Sequence, residues 1–109
     1  MRSMLSGVRI LDLTRMLAGP YGSLLMGDLG AEVIKVEMPG EGDPVRMGTH
    51  VQIGGQNAFF LAINRSKKSF TLDLTREEGK EVFYDLVKVS DVVYDNFRPE
   101  ALHKLGCGY

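Results

Sequence analysis

The fold is decided by residues 8–37, VRILDLTRMLAGPYGSLLMGDLGAEVIKVE. The first segment, VRILDL (8–13), has apolar side chains on both faces, which is typical of a buried parallel strand. The last segment, EVIKVE (32–37), predicts a second strand, and a turn and a leucine-rich segment lie between the two. The stretch therefore predicts a strand–helix–strand unit, the building block of a parallel sheet with helices on its faces.

The helix of this unit begins in the turn RMLAGPYG (15–22). Gly19 suits the N-cap, Pro20 suits the first helical position, and Gly30 is a typical C-terminal stop. The turn lacks the Gly-x-Gly-x-x-Gly pattern of dinucleotide-binding folds, so the pattern does not identify a ligand for it. One apolar face of the helix is expected to consist of Leu24, Leu25 and Leu29.

The region after the second strand is less regular. The glycines and prolines of MPGEGDP (38–44) predict a loop. The pattern of residues 45–56 predicts no element, and NAFFLAIN (57–64) fits either a short helix or a strand.

The second half of the chain returns to the strand–helix–strand order. SFTLDL (69–74) predicts a strand, and Thr75 with Glu78 predicts a capping box, with Glu77 adding negative charge to the first turn of the helix. The apolar positions of the strand are Phe70, Leu72 and Leu74. The apolar stripe of the helix is expected at Val82, Phe83, Leu86 and Val87.

The chain closes with a fourth predicted strand, DVVYDNF (91–97), and a short helix, PEALHKLG (99–106), that starts at Pro99. The complete pattern predicts an α/β fold with a Rossmann-like parallel sheet and flanking helices. No strand follows the last helix, so residues 1–109 are interpreted as the incomplete N-terminal part of a larger domain.

Composition excludes several classes of protein. The net charge is −1, from 13 basic and 14 acidic residues, which argues against a general nucleic-acid-binding surface. No stretch approaches the length of a membrane span, and the N-terminus has no signal-peptide core. The single cysteine, Cys107, cannot form an internal disulfide, so a reducing, cytoplasmic location is expected.

In an open parallel sheet, ligands bind beyond the carboxyl ends of the strands. Backbone N–H groups at the starts of the two long helices favour an anion there, and Arg98 and Lys104 are the nearby cations in sequence. A phosphate or nucleotide site is therefore one interpretation of this edge. The stretches that the rule selects are Thr14 to Ala18, Met38 to Gly40, Leu74 to Thr75, and Asn96 to Arg98.

Other polar residues have two interpretations each. Asp12 and Asp73 fit catalytic carboxylates, but turn or cap hydrogen bonding is the favoured interpretation. The cluster of Arg65, Lys67 and Lys68 fits phosphate binding, but a solvated charge run is favoured. His50, His103 and Cys107 are interpreted as structural or surface residues, because none has metal-ligand spacing or a partner for catalysis.

Several separated motifs together resemble the class III CoA-transferases, the family that includes formyl-CoA transferase and the carnitine and bile-acid CoA-transferases. The resemblance runs from Leu5 to Tyr109 and covers only the N-terminal part of the family's longer chain. It implies a Rossmann-like domain that binds coenzyme A, in a homodimer whose two chains are interlinked like rings. The motifs are LSGVRILDLTRMLAGP, LGAEVIKVEMPGEGDPVR, NRSKKSFTLDL, EGKEVFYDLV and DVVYDNFRPEALHKLG.

The resemblance also implies a mechanism. An aspartate attacks an acyl-CoA thioester to give a mixed anhydride, CoA returns to form an aspartyl-CoA thioester, and a carboxylic acid then takes over the CoA. In the family this aspartate lies beyond the position corresponding to Tyr109, as do the small domain and its glycine-rich loop. The segment alone is therefore expected to be inactive, and no metal is implied.

The CoA contacts that the resemblance implies lie at the sheet edge that the topology selects. Position 38 is often basic in relatives and position 104 is an arginine, whereas this chain has Met38, which cannot pair with a phosphate, and Lys104, which keeps the charge without the bidentate fork. The implied contacts are Leu17, Ala18, Met38, Leu72, Asp73, Leu74, Thr75, Asn96, Phe97, Arg98 and Lys104.

Two alternatives stand beside the transferase. An acyl-CoA racemase of the same superfamily shares the fold and the CoA site but moves a proton with a histidine and an aspartate beyond Tyr109. A non-catalytic segment that binds CoA or self-associates is the other alternative. In that case a shortened sheet is expected to leave an open strand edge and exposed apolar surface.

Overall fold

A computed structural model of the chain describes residues 3–48 and 51–108. Four parallel strands form one sheet in the order β5-β2-β1-β6, and two short strands form a separate antiparallel pair, β3-β4. The predicted α/β fold with a parallel sheet is confirmed. The elements are β1 (Arg9–Asp12), α1 (Ala18–Asp28), β2 (Glu32–Glu37), α2 (Val45–Gly48), β3 (Gln52–Ile53), β4 (Gln56–Asn57), α3 (Ala58–Ile63), β5 (Lys68–Thr71), α4 (Glu77–Lys88), β6 (Val92–Tyr94) and α5 (Ala101–Lys104).

Helices cover both faces of the sheet because β1 is apolar on both faces, as predicted. Ile10 belongs to a cluster on one face, against which Met26 of α1 packs. Leu11 belongs to a larger cluster on the other face, with Phe83 of α4 and Leu102 of α5 against it. Burial of these side chains is the main stabilising contribution to the fold, about 1.5–3 kcal/mol for each large apolar side chain.

The start of α1 differs from the prediction. The helix begins at Ala18 with Leu17 in the N-cap position, so Gly19 lies inside the first turn and Pro20 is the third helical residue. Gly19 is needed for a close approach, since a Cβ atom there would lie 2.4 Å from the Cβ atom of Thr14. Gly30 does end the helix as predicted, with φ of 106°.

The predicted leucine face of α1 is wrong. Leu24 is 5% exposed, but Leu25 is 46% and Leu29 is 43% exposed. The buried face instead includes Gly19 and Ser23, because small residues let the helix backbone approach the sheet.

The start of α4 also differs. Arg76 occupies its N-cap position without a side-chain cap bond, and the Thr75 hydroxyl donates to Asp73 Oδ1 at 2.5 Å. The capping box is wrong because the Asp73 carboxylate binds the hydroxyl that the box requires. Glu77 and Glu78 do lie in the first turn, where negative charge interacts favourably with the helix dipole.

The apolar stripe of α4 is confirmed in part. Phe83 is 1% exposed, and Leu86 and Val87 pack against the same core cluster. Val82 is 40% exposed and lies outside the stripe.

Three remaining segments complete the fold. Within residues 57–64, which fitted either a helix or a strand, Ala58–Ile63 forms the short helix α3, and Asn57 Oδ1 caps it by accepting a hydrogen bond from Phe60 N at 3.0 Å. The last strand, β6, is shorter than predicted, and α5 begins at Ala101 rather than Pro99, since Glu100 has φ of 75°.

Within the described residues, β6 is an edge strand of the sheet. Val92 is 40% and Val93 is 39% exposed on this edge strand. Within residues 3–48 and 51–108, no helix has the length and apolar character needed to cross a membrane.

Candidate functional site

A cleft of about 220 Å³ lies at the carboxyl ends of the parallel strands. Each of the four strands is followed by a segment that contributes to its lining, so the cleft lies where the topology of a parallel sheet directs ligands. Of the implied CoA contacts, Met38, Leu72, Leu74 and Phe97 line it. The full lining is Leu13, Arg15, Val36, Glu37, Met38, Gly42, Asp43, Leu72, Leu74, Phe97 and Leu105.

The other implied contacts surround the cleft or lie farther away. Asp73 borders a separate shallow groove beside the start of α4. Leu17 is half exposed just before α1, and Asn96 contacts the backbone of Arg15, which lines the cleft. The remaining ones, all exposed and outside the lining, are Ala18, Thr75, Arg98 and Lys104.

The floor of the cleft is the hydrophobic core. Leu13, Leu72 and Leu74 belong to the core cluster beneath the sheet edge and also line the cleft. A mostly apolar floor with a few polar groups at the rim is the usual composition of a small-molecule site.

Asn96 fixes the turn after β1. Its Oδ1 atom accepts from Arg15 N at 3.1 Å, and its Nδ2 group donates to Arg15 O at 2.8 Å. The Arg15 side chain reaches Phe97, the residue after Asn96 in the loop that follows β6. Its guanidinium lies 4.8 Å from the centre of the Phe97 ring. The loops after β1 and β6 are thereby joined at the rim of the cleft.

Lys35 of β2 and Asp43, in the loop that follows β2, hold the backbone of residues 14–16. Met16 has φ of 72°, and its N–H donates to Asp43 Oδ1 at 3.1 Å. Lys35 Nζ donates to Thr14 O at 3.0 Å and to Asp43 Oδ2 at 2.8 Å. A left-handed conformation at a non-glycine residue is costly, and these bonds are what hold it.

Opposite charges are paired beneath this wall of the cleft. Glu37 accepts from the Arg46 guanidinium at 2.7 and 2.8 Å and from Asp43 N at 2.8 Å. Burial alone would raise the pKa of Glu37, but the bonds from Arg46 and Asp43 outweigh it and hold that pKa below its ordinary value. The pKa of Asp43 is lowered in the same way, against burial, by Lys35 and backbone N–H groups.

A second buried group of charges lies behind the turn. Asp12 is fully buried at the end of β1 and accepts from the Thr14 and Ser23 hydroxyls. Lys67 Nζ lies 3.3 Å from Asp12 Oδ2 and donates to Pro20 O at 2.9 Å. Turn hydrogen bonding was the interpretation that the sequence favoured for Asp12, and its burial and its bond to Thr14 agree with it.

The interpretation of the basic cluster as solvated is wrong for Lys67. Its side chain is 3% exposed, and burial lowers its pKa, with Asp12 partly opposing that shift. Arg65 and Lys68 do form exposed pairs, with Asp28 and Glu32, so those two are surface charges.

The remaining sequence candidates have structural roles or fall outside the description. Burial raises the pKa of the Cys107 thiol, which disfavours a nucleophilic thiolate. His103 is exposed on α5, and His50 lies outside the described residues. Among residues 3–48 and 51–108, no group of three or more His, Cys, Asp or Glu side chains has the arrangement of a metal site.

The sequence reading missed the polar residues that shape the cleft. Lys35 and Glu37 lie in the second predicted strand, β2, where both are buried, and charged residues buried in a strand require partners. That signal was available, but the partners Asp43 and Arg46 lie in the irregular segment that follows. Arg15 carried no signal beyond its position in the turn.

Comparison with known proteins identifies relatives along nearly the whole chain. The family model described as CoA-transferase family III matches residues 5–109. The human protein named succinyl-CoA:glutarate CoA-transferase is 45% identical over 105 residues, covering 96% of this chain and 24% of its own length. Succinyl-CoA:mesaconate CoA-transferase of Haloarcula hispanica is 45% identical over 109 residues, with 96% and 27% covered.

A solved structure agrees with the fold. The crystal structure of a CAIB/BAIF family protein from Brucella suis superimposes with a TM-score of 0.90 at 42% identity, covering 100% of this chain and 30% of that one. The chain thus spans about a quarter of the length of the curated relatives it matches.

Proposed function

Because the chain belongs to CoA-transferase family III, we propose that it forms the CoA-binding part of an enzyme that transfers CoA from an acyl-CoA thioester to a carboxylic acid. The cleft at the carboxyl ends of the strands is the observation that carries the proposal. It combines an apolar floor with a rim of fixed loops at the point where parallel sheets bind nucleotide ligands.

The proposed CoA contacts divide by their position relative to this cleft. Met38 and Phe97 offer apolar faces for the adenine or the pantetheine arm, and Leu72 and Leu74 supply the floor. Leu17 and Ala18 lie at the start of α1, where backbone N–H groups favour a phosphate. Further contacts are proposed for Asp73, Thr75, Asn96, Arg98 and Lys104.

The proposed reaction proceeds through a covalent aspartyl intermediate. A carboxylate outside residues 1–109 attacks the thioester carbonyl and releases CoA thiolate, which then attacks the aspartyl carbonyl and expels the donor acid. The acceptor carboxylate attacks the resulting aspartyl-CoA thioester, and CoA thiolate finally moves to the acceptor carbonyl and regenerates the aspartate. The segment contributes CoA binding and not the nucleophile.

The proposal includes a homodimer and a cytoplasmic location. The exposed side chains of Leu25 and Leu29 on α1, and of Val92 and Val93 on β6, support further protein packing against this segment. A single free cysteine supports a reducing compartment.

The full-length protein tests the activity directly. It is incubated with succinyl-CoA and, in turn, glutarate and mesaconate, the acids named for its relatives, and the thioesters are separated by mass. A new CoA thioester of the acceptor is expected. Deuterium from solvent entering the α-carbon of a branched acyl-CoA, without any new thioester, would instead indicate a racemase.

The covalent intermediate has its own test. Hydroxylamine cleaves aspartyl thioesters and anhydrides, so it is expected to inactivate the enzyme only when an acyl-CoA is present. Inactivation that does not depend on acyl-CoA, or none in its presence, would contradict the aspartyl step while leaving CoA transfer intact.

A further inference from the structure

The charged side chains that line the cleft differ in whether they have an ion-pair partner. Glu37 and Asp43 line it, but Glu37 is paired with Arg46 and Asp43 with Lys35. Arg15 is the one cationic side chain in the lining, and within the described residues no carboxylate pairs with it. An anion that enters the cleft therefore meets one uncommitted positive charge.

The position of this charge is fixed by its backbone. Asn96 binds both the N–H and the C=O group of Arg15, and the guanidinium lies over the face of Phe97. The side chain is nevertheless exposed, so its N–H donors remain open to solvent. A guanidinium stacked on a ring keeps its planar edge of donors available, which suits bidentate binding of a phosphate.

We propose that Arg15 binds a phosphate group of CoA at the rim of the cleft. This inference rests on the proposed function, because it takes CoA as the ligand. Arg15 lies three residues before the first residue of α1, so an anion beside it is also close to the positive end of that helix. Met38, which follows the neighbouring strand β2 and also lines the cleft, has no charge to offer a phosphate.

The two phosphate sources in CoA are the 3′-phosphate of the ribose and the diphosphate. The affinity of the full-length protein for CoA, dephospho-CoA and adenosine distinguishes them, measured by calorimetry with the wild type and with Arg15→Met. Methionine retains apolar contact with Phe97 but carries no charge. The Kd for CoA is expected to rise about tenfold in Arg15→Met, the equivalent of about 1.4 kcal/mol.

The ligand series then locates the contact. If Arg15→Met weakens the binding of CoA but not of dephospho-CoA, Arg15 contacts the 3′-phosphate. If it weakens the binding of both, Arg15 contacts the diphosphate. Both outcomes support the proposal. An equal loss with adenosine, which has no phosphate, would indicate stacking on the base and would overturn it.

Two further variants separate binding from structure. Arg15→Lys keeps the charge but loses the fork, so an intermediate rise of about threefold in the Kd for CoA is expected. Lys88→Met is the control, because it removes an exposed charge from the last turn of α4. Val89, the C-terminal cap residue of α4, accepts a hydrogen bond from Arg9 at the start of β1, so this turn lies at the amino ends of the strands, away from the cleft. That control is expected to leave the Kd unchanged.

Salt dependence gives a readout that a packing role would not alter. The Kd of the wild type for CoA is expected to rise more steeply with salt than that of Arg15→Met, because one fewer ionic contact is screened. Identical slopes with unchanged affinity would overturn the proposal for Arg15 alone. A wild-type protein that binds no CoA would overturn the proposed function as well.

Discussion

The pentapeptide LDLTR occurs twice, at residues 11–15 and 72–76, and its aspartate and threonine make the same pair of hydrogen bonds in both places. In each copy the threonine N–H donates to Oδ1 of the preceding aspartate at 2.9 Å, and the threonine hydroxyl donates to the same atom. The first copy begins with the last two residues of β1, the second directly follows β5, and each precedes a long helix. The local hydrogen bonds are therefore a property of the short sequence itself.

The surroundings of the two turns are very different. Asp12 and Thr14 are fully buried, and Asp12 binds Ser23 and Lys67 in addition to the threonine. Asp73 is partly exposed, and among the described residues its carboxylate hydrogen-bonds only with Thr75. The comparison teaches that a local motif fixes a conformation, whereas its energetic weight depends on what the fold places around it.

The largest expected difference is between the two aspartates. Asp12→Asn removes the charge that compensates buried Lys67, so the free energy of unfolding of the full-length protein is expected to fall by about 3–5 kcal/mol. Asp73→Asn weakens an exposed turn and is expected to cost about 1 kcal/mol or less. Urea unfolding of both variants measures the difference, and equal losses would contradict the role assigned to burial.

The glycines that follow the turns give the next largest effect. A Cβ atom at Gly79 would lie 1.8 Å from the backbone oxygen of Asp73, so Gly79→Ala is expected to destabilise the protein by about 2–3 kcal/mol despite the higher helix propensity of alanine. Gly27→Ala in α1 is the control.

That control separates steric conflict from propensity. A Cβ atom at Gly27 would lie 3.6 Å from Val33 Cγ2, an ordinary contact, so this variant is expected to be neutral or up to about 1 kcal/mol more stable. Thermal unfolding of the two variants side by side checks both signs. A stable Gly79→Ala protein would mean that the turn at residues 72–76 yields easily.

Acid is expected to weaken the buried charges beside the first turn. The pKa of Glu37 lies below its ordinary value of 4.5, so its contribution to stability is present above about pH 4.5 and is lost as pH falls through the folded-state pKa. Glu37→Gln removes this titration and the pair with Arg46, and it is expected to cost about 2 kcal/mol at pH 7.

The pH series makes this prediction specific. Urea midpoints measured from pH 7 to pH 3 are expected to fall less steeply for Glu37→Gln than for the wild type. A parallel fall in the two proteins would show that Glu37 does not contribute to the acid transition. Asp43, whose pKa is also lowered, is expected to account for part of the remaining slope.

The sequence predicted what depends on local pattern. The alternation of strands and helices and the strand at residues 32–37 followed from periodicity, and the edge of the sheet at which the cleft lies followed from topology. Identical pentapeptides give identical local expectations, so nothing in LDLTR distinguishes the buried copy from the exposed one. Lys67 and Asp12 are 55 positions apart, and only the folded chain joins them.

The smallest expected effect concerns the last residue of each pentapeptide. Arg76 Nε lies 3.7 Å from Glu78 Oε2, and both side chains are largely exposed, so Arg76→Ala is expected to change the free energy of unfolding by less than about 0.5 kcal/mol. Arg15, at the equivalent position, is bound by Asn96 and lies over Phe97 in the cleft lining. Calorimetry with CoA is therefore expected to separate the two arginines, with Arg76→Ala retaining wild-type affinity. A loss of affinity in Arg76→Ala equal to that in Arg15→Met would mean that net positive charge at this sheet edge, and not the placement of Arg15, controls binding.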